Sequence, residues 1–140
     1  MSQQPIDIYT LLGKEIDGPQ AKSAFAALDQ GTKTKLTSER DEVRWISKKA
    51  GVEIHAEAKS KRVVSIFLYA GGRDGFQRYP GSMPYGITFD MKQPVARTCV
   101  PGTPIRSDSE GECWDEEDRR IILSYDPAGN MTDVFATTDF

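Results

Sequence analysis

Few side chains in this sequence could do covalent chemistry. His55 is the single histidine, and Cys99 and Cys113 are the two cysteines. A general base needs an orienting partner and a reacting group within hydrogen-bond reach, and the sequence around His55 shows neither. Its neighbours Val52, Ile54 and Ala56 alternate with polar residues, so His55 is expected on the solvent-facing side of a strand. A nucleophilic cysteine needs a base or a helix N-terminus to lower its pKa. Cys99 instead falls near the end of an expected helix, where the dipole disfavours a thiolate. Both cysteines therefore read as small packed apolar residues, and as reduced thiols, because their spacing suits neither a metal site nor a disulfide framework. No cofactor or metal is expected.

Two further stretches have a functional reading beside a structural one. Gly71-Gly72-Arg73-Asp74-Gly75 is glycine-rich, but it lacks the lysine of a phosphate loop and the spacing of a dinucleotide fingerprint, so it is expected to turn the backbone rather than to bind phosphate. The acidic run Glu110, Glu112, Asp115, Glu116, Glu117 and Asp118 lacks the alternating oxygen ligands and central glycine of a calcium loop. It is either a solvated hairpin connection or a docking surface for a basic partner, where complementary charge speeds encounter. Trp114 beside it is either a buried anchor or an interface hot spot. The expected partner-binding residues are Glu112, Trp114, Asp115, Glu116, Glu117 and Asp118.

The composition limits the classes available. A chain of 140 residues with 38% hydrophobic and 28% charged residues is that of a globular protein, and it is long enough to bury about two thirds of its unfolded surface in one domain. The net charge of −3 favours neither nucleic acid nor an anionic membrane as partner. No apolar run approaches the ~20 residues of a spanning helix, and the N-terminal residues lack the pattern of a secretory signal. A cytoplasmic location is the expectation.

The elements follow from periodicity. Ile6, Ile8, Leu11 and Leu12 form an apolar cluster that Gly13 ends. A helix is expected from about Pro19 to Leu28, with Asp17 as a candidate cap and Ala21, Ala24, Phe25 and Leu28 on one face. Gln30 to Arg40 reads as a loop. Val43, Trp45, Val52, Ile54 and Ala56 describe a hairpin with a turn at Lys48 to Gly51, and Arg62 to Tyr69 describes an interior strand. Met91 to Val100 is expected as a helix capped by Asp90, with Pro94 in its first turn. Ile105 to Gly111 reads as a polar connection. Strands are expected at Glu112 to Trp114, Arg119 to Tyr125 and Met131 to Thr137, the last two joined by the turn Asp126-Pro127-Ala128-Gly129. The expected fold class is α+β. Two helix-plus-antiparallel-hairpin units, a possible tandem duplication aligning Ile66 and Phe67 with Val134 and Phe135, place their helices on one face of an antiparallel sheet. The expected organisation is a single domain, 1–140, with a first unit at about 6–70, a joining stretch at about 71–89 and a second unit at about 90–138.

The stretch from Phe67 to Pro104 resembles a pattern of small bacterial immunity-type proteins: an apolar strand ending in Phe-x-Tyr, Gly-x-Asp-Gly-Phe, a Tyr-x-Gly spacer, Leu-Pro-x-Gly-Leu-x-Phe, and a helix ending in Leu-Gly-x-Pro. The matching residues are Phe67, Tyr69, Gly72, Asp74, Gly75, Phe76, Tyr79, Gly81, Pro84, Gly86, Phe89, Gly102 and Pro104. Met83 and Ile87 stand where the pattern has leucine, and Val100-Pro101-Gly102 replaces its usual helix end. The helix and following strands are also similar in shape to the α/β module of outer-membrane assembly lipoproteins and of the β-lactamase-inhibitor protein. The resemblance implies a non-enzymatic cytoplasmic immunity protein that binds a cognate toxin, such as a type VI secretion effector, and blocks its active site. The alternatives are a small-ligand-binding or chaperone-like module, with a pocket lined by Phe76, Tyr79 and Tyr85, and a cysteine-dependent enzyme.

Overall fold

The computed structural model describes residues 8–28, 36–39, 41–72 and 74–139. Ile6, Arg73 and most of the connection expected at Gln30 to Arg40 lie outside the described residues.

Eight strands form one antiparallel sheet: β1 Thr37–Glu39, β2 Glu42–Ser47, β3 Val52–Glu57, β4 Val63–Tyr69, β5 Arg106–Asp108, β6 Gly111–Asp115, β7 Arg120–Tyr125 and β8 Met131–Thr137. Their order across the sheet is β1-β2-β3-β4-β8-β7-β6-β5. Each half of the chain thus contributes a four-stranded meander, and the two meet where β4 pairs with β8. The alternation of apolar and polar residues sends one set of side chains from every central strand to the same side. On that inner face, register aligns Trp45, Ile54, Ile66, Ala136, Ile121 and Trp114 in one row. Ser47, Val52, Leu68, Val134, Leu123 and Glu112 form the next. All twelve are buried.

The inner face is covered by the rest of the chain. A 3-10 helix at Ile8–Leu11 and α1, Pro19–Leu28, contribute Ile8, Tyr9, Leu11, Ala21 and Ala24 to the core. Phe25 of α1 stacks on Trp45 with ring centroids 4.0 Å apart. The connection between β4 and β5 adds Tyr79, Ile87, Ala96 and Val100. It contains α2, a four-residue helix at Gln93–Ala96.

This arrangement corrects the expected fold class. Two helix-plus-hairpin units with helices on a sheet are not what forms: the unit on each side is a four-stranded meander, and α1 is the only helix longer than one turn among the described residues. The helix expected from Met91 to Val100 shrinks to Gln93–Ala96, followed by tight turns in which Thr98 and Cys99 donate to Val95 and Ala96. Pro94 blocks extension toward the N-terminus, and Pro101 disfavours the helical region at Val100. The segments at Gln30 to Arg40 and Ile105 to Gly111, read as connections, contain the edge strands β1 and β5. Strands this short, at a sheet edge, bury little of either face, so they carry no apolar alternation to read. In the central pair Phe67 lies opposite Phe135, Ile66 opposite Ala136 and Leu68 opposite Val134.

Asp17, expected to cap α1, accepts a hydrogen bond from Lys61 Nζ at 3.1 Å. No helix among the described residues is long and apolar enough to cross a membrane.

Candidate partner-binding site

The turn between β6 and β7 holds most of the acidic run, and strand alternation decides which of its members face outward. Gly111 to Asp115 form β6, so Glu112 and Trp114 point to the inner face while Cys113 and Asp115 point away from it. Glu112 is fully buried, accepting hydrogen bonds from Tyr125 Oη at 2.9 Å and Gln93 Nε2 at 2.6 Å. Burial, together with the bond to Glu112, pushes the Tyr125 hydroxyl far above its ordinary range, so it stays protonated and remains a donor. Trp114 is buried as well and donates its indole N–H to the carbonyl of Gly102 at 3.2 Å. Of the six residues expected to bind a partner, these two serve the interior.

The other four stay at the surface but are not equally available. Asp115 forms two hydrogen bonds with Arg120, at 2.5 and 2.9 Å, which hold its carboxyl below the usual range. Glu116 is half-buried: it accepts from Arg119 Nε at 2.9 Å and from the hydroxyl of Tyr85. That bond holds the Tyr85 hydroxyl above its ordinary pKa. The guanidinium of Arg119 in turn lies over the ring of Tyr9, 5.7 Å from its centroid, a cation–π contact. Glu117 and Asp118 are exposed at the tip.

Glu116, Asp118, Arg119 and Tyr9 bound an open cleft of about 560 Å³, closed by Thr10, Leu12, Gly13 and Thr138. Its lining is mixed: the hydroxyls of Thr10 and Thr138, two carboxylates and one guanidinium stand beside Leu12, while the Tyr9 hydroxyl donates to the Val134 carbonyl at 3.3 Å. Four carboxylates against two arginines between Asp115 and Arg120 leave the turn with a net charge of −2. Sequence reasoning found the turn but missed Tyr9, Tyr85 and Arg119. Their separation along the chain gives no local signal that they meet.

The structural fold is similar to part of a solved structure. That structure, at 1.5 Å resolution, is an extracellular protein containing an SCP domain from Bacillus anthracis str. Ames. The similarity has a TM-score of 0.60 at 14% sequence identity and covers 99% of this chain. The chain spans only about half, 48%, of that protein's length. At this identity the similarity concerns the fold. No protein-family model matches the chain, and no curated protein matches it.

The remaining candidates separate in space. Phe76 is buried on the outer face against Tyr69, with centroids 4.2 Å apart, Tyr79 belongs to the inner core, and Tyr85 is exposed beside Glu116. These three aromatics do not line one pocket. His55 and Cys113 both sit on the outer face, but four strand spacings apart, which is roughly 19 Å at ~4.8 Å per strand. Cys113 is buried there, and burial pushes its thiol up.

His55 has a partner that the sequence did not reveal: Glu53 Oε2 lies 2.5 Å from Nε2, and Glu42 Oε2 is 3.7 Å from Nδ1. The hydrogen bond from His55 holds the Glu53 carboxyl below its ordinary range. A depressed carboxyl contributes stability above its unfolded pKa and loses it as pH falls through the folded value. His55→Gln is therefore expected to lower the urea midpoint at neutral pH and to lower it less in acid, once the pH has fallen through the depressed folded-state value of Glu53. Equal losses at the two pH values would remove this role for the pair.

Proposed function

We propose that this chain is a non-enzymatic binding protein that docks a partner protein at the β6–β7 end of the sheet, and that the partner is a toxin whose active site it covers. The observation that carries the reading is the cleft beside that turn. A net negative turn is braced there by Arg119, which bonds Glu116 and lies over Tyr9. Exposed carboxylates at the tip would steer a basic patch on the partner, and the hydroxyls of Thr10 and Thr138 would hydrogen-bond it. A rigid surface loses little entropy on binding. The immunity-type pattern between Phe67 and Pro104 supplies the toxin as the partner and the cytoplasm as the location.

The solved neighbour favours a second reading. Its chain is about twice the span matched here, and it is extracellular. Under this reading the fold serves as a recognition module attached to another domain.

The test is co-expression with the product of the adjacent gene, followed by titration calorimetry. A complex is expected, with rescue of cells from that product's toxicity. The double variant Glu117→Lys, Asp118→Lys is expected to weaken it by roughly 10- to 100-fold, at about 1 kcal/mol for each rim charge reversed. Glu57→Lys, an exposed charge at the end of β3, is the control and should leave affinity unchanged. Failure to form a complex, or unchanged affinity in the double variant, would defeat the toxin reading or this site respectively.

A further inference from the structure

Core packing uses one face of the sheet; on the other, the loop after β4 covers the Tyr69 end with Phe76, and the middle of the central strands stays half-buried. On that outer face, register aligns Ile46, Glu53, Phe67, Phe135, Ile122 and Cys113 in a row perpendicular to the strands. Phe67 and Phe135 stack at 4.3 Å, and Ile46, Phe67, Phe135 and Ile122 are each only half-buried. One row further along the strands, register aligns Arg44, His55, Ser65, Thr137, Arg120 and Asp115.

We infer that this outer face is the interface of a symmetric homodimer, two copies packing sheet to sheet about an axis that runs parallel to the strands between β4 and β8. Three features fix a second copy as the occupant. First, the axis lays β2 of one copy over β6 of the other, β3 over β7 and β4 over β8, because the order across the six central strands is β2-β3-β4-β8-β7-β6. Phe67 then faces Phe135, Ile46 faces Cys113, Ser65 faces Thr137 and Arg44 faces Asp115, so the centre is apolar and the end charges are opposite, while Glu53 faces Ile122 and His55 faces Arg120.

Second, the face carries charges of both signs that already pair within it: Arg44 with Glu42 at 2.8 Å, Arg120 with Asp115 at 2.5 Å and His55 with Glu53 at 2.5 Å. A partner of a single sign gains no steering from such a surface, whereas a mixed surface that repeats it can match it. Third, six strands at ~4.8 Å spacing and roughly 20 Å length give a face of about 600 Å² in projection, before side-chain relief is added. That is on the order of the ~800 Å² per partner of a stable interface.

The inference does not depend on the proposed toxin binding, since no residue of the two outer-face rows lines the cleft walled by Tyr9 and Thr10.

The test uses the chain alone, by sedimentation equilibrium from low micromolar to several hundred micromolar concentration. The mass is expected to move reversibly from monomer to dimer. Ile122→Glu places a carboxylate opposite Glu53 of the other copy and is expected to weaken association by roughly 100-fold, as removal of a central apolar contact does. Ile46→Glu serves if Ile122→Glu does not fold, with circular dichroism as the check. Arg44→Asp should weaken the dimer, and adding Asp115→Arg should restore it, which only the facing geometry explains. Val95→Glu, on α2 and 53% exposed, should change nothing. A monomer at every concentration, a dimer unaffected by the Ile122 and Ile46 substitutions, or a charge swap that fails to restore association would each overturn the inference.

Discussion

Gly51→Ala is expected to lower stability by about 4 kcal/mol, close to the whole margin of a weakly stable domain. Two costs add. Gly51 has φ +68°, a left-handed conformation that costs an L-residue roughly 1–2 kcal/mol. A Cβ there would also stand 2.1 Å from the carbonyl oxygen of Gln77 and 2.7 Å from the amide of Tyr79. These are backbone atoms held by their own bonds: Gln77 N donates to Lys48 O at 2.7 Å, and Tyr79 N donates to Tyr69 O at 3.0 Å. The loop after β4 cannot yield without losing them, so the overpacking cost of about 1–3 kcal/mol applies in full. Gly72→Ala isolates the first term, because Gly72 has φ +77° and nothing within 4 Å of the added methyl. Urea unfolding should show Gly51→Ala at least about 2 kcal/mol below Gly72→Ala. Equal losses would mean that the close approach of the 77–79 backbone is not maintained in solution.

Glu112→Ala is expected to cost about 3 kcal/mol, and Glu112→Gln about 1 kcal/mol. The carboxylate is fully buried and its two hydrogen bonds tie α2 and β7 to β6. Truncation strands the Tyr125 hydroxyl, which is itself buried, and leaves a void behind it. Gln93 loses less, since its Nε2 also donates to the Asp108 carbonyl at 2.8 Å. The amide of the Gln variant keeps one carbonyl oxygen, which can accept from Tyr125 while Gln93 keeps its bond to the Asp108 carbonyl, so only the bond between the two amides is lost. Thermal and urea unfolding of both variants give the comparison. If the Ala variant is no less stable than the Gln variant, the network is not a structural tie.

The two residues also mark where sequence reasoning stopped. Glu112 lies in a run of acids, and by composition it belongs with Asp115 to Asp118 at a surface. Alternation along β6 alone would have turned it inward with Trp114, but a buried carboxylate is favourable only if donors meet it. Gln93 and Tyr125 sit on separate elements, 19 and 13 residues away. Gly51 was legible as a turn residue, whereas its contact with residues 77–79 belongs to a loop that folds back over the hairpin. The cleft beside Arg119 depends in the same way on Tyr9, which joins it across more than a hundred residues.

What the sequence determined by itself was the set of central strands and their faces. The alternation at Val43 to Ala56, the apolar run at Val63 to Tyr69, the strand at Met131 to Thr137 and the turn at Asp126 to Gly129 follow from local pattern, because a period of two commits each side chain to a face whatever the partner strand. Helix α1 was legible for the same reason at its own period.

Tertiary structure decided the rest. It joined β4 to β8, so that two meanders became one sheet, and it recruited the polar segments at Thr37–Glu39 and Arg106–Asp108 as edges. It also cut the second helix to one turn and split the acidic run between core and surface. Pairing between distant strands is paid in loop-closure entropy and returned by contacts that no local window contains. The outer face is the clearest case: Phe67 and Phe135 stand 68 residues apart in the sequence and directly opposite in the sheet.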